Sequence, residues 1–178
     1  MAQTPQLPDT PTLVADLVQQ VRQLIASQQI QNPLVIGIHT GGAWLAATLA
    51  QAIAAPLGKL DISFYRDDFT QQGLTPKVNP SNLPFDVNNR HIILVDDVLM
   101  SGRTVRAALN EIFDYGRPAS IKLAILCAIN GRQLPIQADF CALQMELQAN
   151  QYLQLEGPEP LQLTLIERAN DELSLIHI

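Results

Sequence analysis

The spacing of apolar positions along this chain changes from segment to segment, and the changes mark its elements. After Thr10, which is placed to cap a helix with Pro11 at its first position, Leu13, Leu17, Val21, Leu24 and Ile25 recur at helical spacing. "PLVIGI" (33–38) is a continuous apolar run, as in a strand buried on both faces. It passes through "HTGG" (39–42) into the Ala-rich helical stretch "AWLAATLAQAIAA". "KLDISFY" (59–65) alternates like a strand. Residues 66–84 hold Gly73, Pro76, Pro80 and Pro84 and read as a flexible loop, of a length that in compact domains often serves as a functional lid. "HIILV" (91–95) is the next strand, "TVRAALNEIFDY" the helix after it, stopped by Gly116 and Pro118, and "SIKLAILCA" (120–128) another strand. From about residue 150 the pattern reads strand, turn at "AND", strand, as "LQLTLIE" then "LSLIHI". Strands and helices alternate from 33 to 128, which predicts an α/β fold with a mostly parallel central sheet flanked by helices. The tail adds a C-terminal antiparallel extension at the sheet edge. The Pro-rich residues 1–10 read as a flexible arm, and no repeat or linker divides the rest, so one domain is expected over 1–178.

Composition narrows the class. A chain of 178 residues, 47% of them hydrophobic, can bury a full core. Its net charge of -6, with 11 Lys and Arg, disfavours a broad nucleic-acid face and leaves room only for a local basic patch. Cys127 and Cys141 sit in apolar surroundings at a spacing that fits no zinc or redox motif, and read as buried thiols. No stretch resembles a signal peptide or is long enough to span a bilayer, so a cytoplasmic setting without membrane contact is expected.

The chemistry concentrates in "HIILVDDVLMSGRTVR" (91–106). In an open α/β sheet, ligands bind outside the carboxyl ends of the strands. The apolar run delivers Asp96 and Asp97 to that edge, where successive residues point to opposite faces and so hold different positions. Each carboxylate can accept from vicinal sugar hydroxyls, directly or through a hydrated magnesium ion. The loop that follows opens a helix whose backbone N–H groups converge on an anion. Gly102 permits close backbone approach there, and Ser101 and Thr104 add hydroxyl donors. Acids for ribose followed by a nest for phosphate describe a ribose-5-phosphate site. An exposed strand end followed by a capped helix is the plainer reading, but it leaves the acid pair and the small-residue loop as coincidence.

The string resembles the phosphoribosyl-pyrophosphate motif of the type I phosphoribosyltransferases. "LDISFYRDD", "PFDVNNRHIILVDDVLMSGRTVRAALNEIFDYGRPASIKLAIL" and "LPIQADF" resemble, in order, one branch of them: the pyrimidine operon regulators that double as uracil phosphoribosyltransferases. The resemblance covers roughly residues 10 to 142. It implies the type I phosphoribosyltransferase fold and a magnesium-dependent transfer that makes UMP and diphosphate from uracil and phosphoribosyl pyrophosphate. It also implies control of pyrimidine genes and a homo-oligomer of two or more copies. On that resemblance Asp96 and Asp97 contact the ribose, and Val98, Leu99, Met100, Ser101, Gly102, Arg103 and Thr104 form the 5′-phosphate loop. His39, Thr40, Gly41 and Gly42 form the diphosphate loop, and Arg66 in "YRDD" meets diphosphate charge. Ala128, Ile129, Asn130 and Arg132 frame the base pocket. No residue is singled out as a direct metal ligand.

Two departures bear on activity. His39 stands where the family has Arg or Lys, and a neutral histidine offers a single donor. "CAINGRQL" (127–134) stands where the family reads close to "VDRG.REL", so Ala128 and Ile129 offer a base only backbone groups, and discrimination suffers when matched donors are lost from a buried site. Two function classes stay open: an enzyme acting on uracil, and a nucleotide-sensing regulator, with RNA as a possible but disfavoured partner, whose base chemistry is weak, lost or re-specified. Of the remaining residues, Trp44 reads as a core or rim aromatic, Arg106 as solvated or paired, and His91 and His177 show no metal-partner spacing.

Overall fold

The computed structural model describes residues 5–62 and 81–169. Helix α1 (Thr10–Ser27) is capped by Asp9, whose carboxylate accepts from the Thr12 N–H at 3.3 Å and the Thr12 hydroxyl at 3.0 Å. The cap is thus one residue upstream of the expected Thr10. Thr10 is instead buried, and its hydroxyl accepts from the Leu163 N–H at 3.0 Å. Asp9→Ala should cost about 1 kcal/mol, or roughly 2–4 °C in Tm, readable by thermal melting.

Strands β1 (Leu34–Ile38), β2 (Leu57–Leu60), β3 (His91–Leu99), β4 (Ser120–Ile129) and β5 (Phe140–Met145) form one sheet in the order β2-β1-β3-β4-β5, parallel at every pairing. Helix α2 (Gly41–Ile53) follows β1 and α3 (Arg103–Tyr115) follows β3, as parallel connections require. The pleat divides the core. Val35, Ile93 and Val95 pack with α1 and α2, and Leu34, Ile36, Ile92 and Leu94 pack with Val105, Ala108 and Ile112 of α3.

The structure departs from the expected elements at three places. β2 starts at Leu57, ahead of the expected 59, while residues 63–65 of the expected strand lie outside the described residues. β5 was unforeseen, because "FCALQM" is short and follows no turn signal clearer than its neighbours. In the tail, β6 (Gln151–Glu156) pairs antiparallel with β7 (Gln162–Glu167) across the "GPEPL" turn. The hairpin forms a separate sheet, packed through Leu155 and Leu163 onto the α1–α2 side. The expected partner of 161–167, "LSLIHI", lies outside the described residues.

Candidate active site

All five parallel strands end on one edge, and α2 and α3 begin there. Unlike Asp9 of α1, the N-cap residues Thr40 and Gly102 make no side-chain capping bond, and neither helix has an acid in its first turn. Apart from the Arg103 N–H, taken by the Ser101 hydroxyl, and the Ala43 N–H, taken by Thr40 O, the first-turn N–H groups at the positive ends of the two helix dipoles are positioned to meet anions.

The acid pair sits against the start of α2, and the loop after it leads into α3. Asp96 is 7% exposed and Asp97 half-buried. Asp96 Oδ1 accepts from the Asp97 N–H at 2.9 Å, and Asp97 Oδ1 accepts from the Val98 N–H at 2.8 Å. Each carboxylate is oriented by the main chain of the residue after it. The two glycines that open α2 press against the pair. A Cβ on Gly41 would collide with Asp97 Oδ2. One on Gly42 would lie 2.7 Å from the Val95 carbonyl oxygen and 2.9 Å from Asp96 Cα. The expected diphosphate loop and ribose acids are thereby brought into contact. His39 and Thr40 precede them through a cis peptide, with the His39 N–H donating to Leu60 O at 2.9 Å.

The loop from Val98 to Thr104 turns sharply into α3. Leu99 is buried and Met100 is 51% exposed. Gly102 has φ +90°, a conformation that favours glycine, and a Cβ there would point at Leu134 and Ile136, 3.4 and 3.3 Å away. The backbone turn and the neighbouring 134–136 segment thus both favour glycine at this position. The Ser101 hydroxyl accepts from the Arg103 N–H at 3.2 Å, and Thr104 is half-buried in the first turn of α3.

Beside this loop lies a cleft of about 690 Å³. All four expected base-pocket residues, Ala128, Ile129, Asn130 and Arg132, line it. The two polar side chains among them already have partners. Asn130 donates to Leu147 O at 3.1 Å and accepts from the Leu147 N–H at 2.7 Å. Arg132 donates to Met100 O at 2.7 Å and also to Ile136 O. Three further polar side chains, Gln137, Gln144 and Glu146, line the cleft and were missed. Gln137 falls inside "LPIQADF", where it was given no role, Gln144 and Glu146 lie beyond it in a stretch with no motif, and only the unforeseen β5 brings Gln144 beside Ala128.

Cys141 also lines the cleft, and Cys127 is buried on the adjacent strand. Burial, with Cys141 close by, pushes the Cys127 thiol from 9.0 up to about 12. Burial likewise raises Cys141, against the opposing pull of main-chain hydrogen bonds and Arg132. Neither thiol should react with Ellman's reagent at pH 8 until the chain is unfolded. The folded-state value of Cys127 lies above the unfolded one, so its contribution to stability is complete below pH 9 and is lost as pH rises toward 12. Melting curves should show this alkaline loss, smaller in Cys127→Ala.

Arg66 and most of the expected loop lie outside the described residues. Among the described residues, no group of three or more His, Cys, Asp or Glu could hold a metal ion, and no helix is long and apolar enough to cross a membrane.

A family model for the phosphoribosyl transferase domain matches residues 4–154. The protein of Pseudomonas fluorescens named "Bifunctional protein PyrR" is 48% identical over 165 residues, covering 92% of this chain and 98% of its own. A protein of the same name from Nitrosococcus oceani is 54% identical over 157 residues, covering 86% and 89%. Among solved structures, a hypoxanthine-guanine phosphoribosyltransferase from Bacillus anthracis matches with a TM-score of 0.63 at 17% identity, covering 82% of this chain and 86% of its own. A hypoxanthine-guanine-xanthine phosphoribosyltransferase matches at 0.61 and 19%, covering 84% and 81%.

Proposed function

The chain belongs to the phosphoribosyl transferase domain family, among the bifunctional PyrR proteins, and from that premise we propose that it makes UMP and diphosphate from uracil and phosphoribosyl pyrophosphate, and that the same nucleotide site serves control of pyrimidine genes. The observation that carries this reading is the contact of Gly41 and Gly42, at the start of α2, with the acid pair, from which the chain runs through the Val98–Thr104 loop into α3. One molecule with two phosphate ends and a ribose between them fits such a site.

In this reading Asp96 and Asp97 accept from the ribose hydroxyls. Residues Val98–Thr104 and the start of α3 hold the 5′-phosphate, while Thr40, Gly41 and the start of α2 hold the diphosphate. As the bond from C1 to the diphosphate oxygen breaks, the uracil ring nitrogen forms its bond to C1, and the nitrogen's proton leaves to solvent. Positive charge builds on the sugar and negative charge on the leaving group. The protein contributes alignment and fixed dipoles aimed at that negative charge. Two adjacent carboxylates suit a hydrated magnesium ion carried by the substrate's phosphate oxygens. It would lie among Asp96, Asp97 and the substrate, and neutralises leaving-group charge when bound. If the charge missing at His39 matters, His39→Arg should raise kcat/KM for phosphoribosyl pyrophosphate by about tenfold, and steady-state kinetics would read it.

The test is a turnover assay with phosphoribosyl pyrophosphate, magnesium and one base at a time. UMP formed from uracil supports the reading. Nucleotide formed only from another base, or from none, would sink the uracil assignment. A sensor with altered base chemistry is the second reading, favoured by the engagement of Asn130 and Arg132 elsewhere. It is marked by UMP binding without turnover. Any RNA contact would use a local basic patch on this acidic chain, and its affinity should fall steeply with salt.

A further inference from the structure

The segment 131–136 turns its hydrogen-bonding groups toward the phosphate loop. Arg132 Nε donates to Met100 O at 2.7 Å, and Nη1 of the same guanidinium donates to Ile136 O. The Gln133 and Leu134 N–H groups both donate to Ser101 O, at 3.0 and 3.1 Å. Gln133 Oε1 accepts from Arg103 Nε at 2.8 Å. On the Gly131 side, a Cβ would lie 3.2 Å from Met100 Cγ, so the two segments interlock.

A loop that cradles an anion must turn its carbonyl oxygens away and its N–H groups inward. Here two successive carbonyls, Met100 and Ser101, are held on the 131–136 side. The Ser101 carbonyl is held by main-chain donors that any variant keeps. The Met100 carbonyl is held by the Arg132 side chain.

We infer that Arg132 is a positioning residue for the 5′-phosphate loop and not a reader of the base: its guanidinium draws the Met100 carbonyl away from the anion and braces the loop against the cleft wall at Ile136. The inference rests on the phosphoribosyl site proposed above. It removes Arg132 from the base pocket's recognition set and leaves Gln137, Gln144, Glu146 and the main chain at Ala128 and Ile129 to meet a base.

The test compares the parent with Arg132→Lys and Arg132→Met, using calorimetric titration with UMP, ribose 5-phosphate and uridine, and steady-state KM for each substrate. Both variants should bind UMP and ribose 5-phosphate at least about tenfold more weakly. Lys, which keeps one donor, should lose less than Met. Uridine affinity and the KM for uracil should stay at the parent value. Equal losses for uridine and UMP would overturn the inference, as would unchanged affinity for all three ligands. A variant that melts far below the parent is judged by the Lys substitution, where an unaltered ratio of UMP to uridine affinity would likewise overturn it. A parent that binds neither UMP nor ribose 5-phosphate would remove the proposed function itself, and the positioning role with it. Tight parent binding with unaffected variants would remove only the positioning role.

Discussion

Replacing Asp96 and Asp97 together by Asn is expected to lower kcat/KM for phosphoribosyl pyrophosphate by roughly a hundredfold to ten-thousandfold, and to weaken UMP binding strongly. A hydrogen bond to a charged group is worth about 1.5–3 kcal/mol, so two of them account for roughly 3–6 kcal/mol, the energy of that rate range. The fold should survive. Asn keeps the size of Asp and an Oδ1 that can accept from the following N–H, which is the bond each residue makes here. Melting should therefore shift by a few degrees at most while titration with UMP loses its heat. A double variant that bound UMP as tightly as the parent would show that the ribose does not lie at this pair.

The second large effect separates two adjacent glycines. Gly42→Ala should strike the fold, because its Cβ would meet the Val95 carbonyl oxygen at 2.7 Å and Asp96 Cα at 2.9 Å, and these are main-chain atoms of a central strand. Overpacking of this kind costs typically 1–3 kcal/mol, and at about 2–3 kcal/mol Tm should fall by roughly 5–10 °C. Gly41→Ala should strike function instead. The three atoms nearest its Cβ all belong to the Asp97 side chain, which can turn away by giving up its bond from the Val98 N–H. The swing would remove Asp97 from the ribose position and disturb the start of α2, so activity should drop by about a hundredfold or more with a smaller change in Tm. Melting curves and kinetics on both variants would read the contrast. A Gly41→Ala protein with parental activity would mean that Asp97 need not stay where it lies.

The parallel sheet was legible because its strands are continuous apolar runs bounded by helical patterns, a signal that survives without tertiary information. The acid pair and its loop were legible for a related reason: a buried strand has no use for two carboxylates. What the sequence could not reveal depended on distant partners. Thr10 reads as a cap until Leu163 claims its hydroxyl. Arg132 and Asn130 read as base-pocket residues and do line the cleft, but their bonds to Met100, Ile136 and Leu147 could not be read from the sequence. β5 is specified by pairing with β4 and not by its own pattern, and without it Gln144 has no reason to stand beside Ala128.

The bond between Thr10 and Leu163 joins positions 153 residues apart, and Trp44 of α2 packs at the turn after β6, where a Cβ on Gly157 would lie 2.8 Å from its ring. On the ribosome this fixes an order of events. Helix α1 emerges first, yet its buried first residue and part of its apolar side receive their covering only when the last hairpin has left the exit tunnel. A nascent chain of which only the first 145 or so residues had cleared the tunnel would hold the whole parallel sheet and the starts of both helices beside it. It would still show an uncovered strip along α1 and α2 to any chaperone that reads apolar surface.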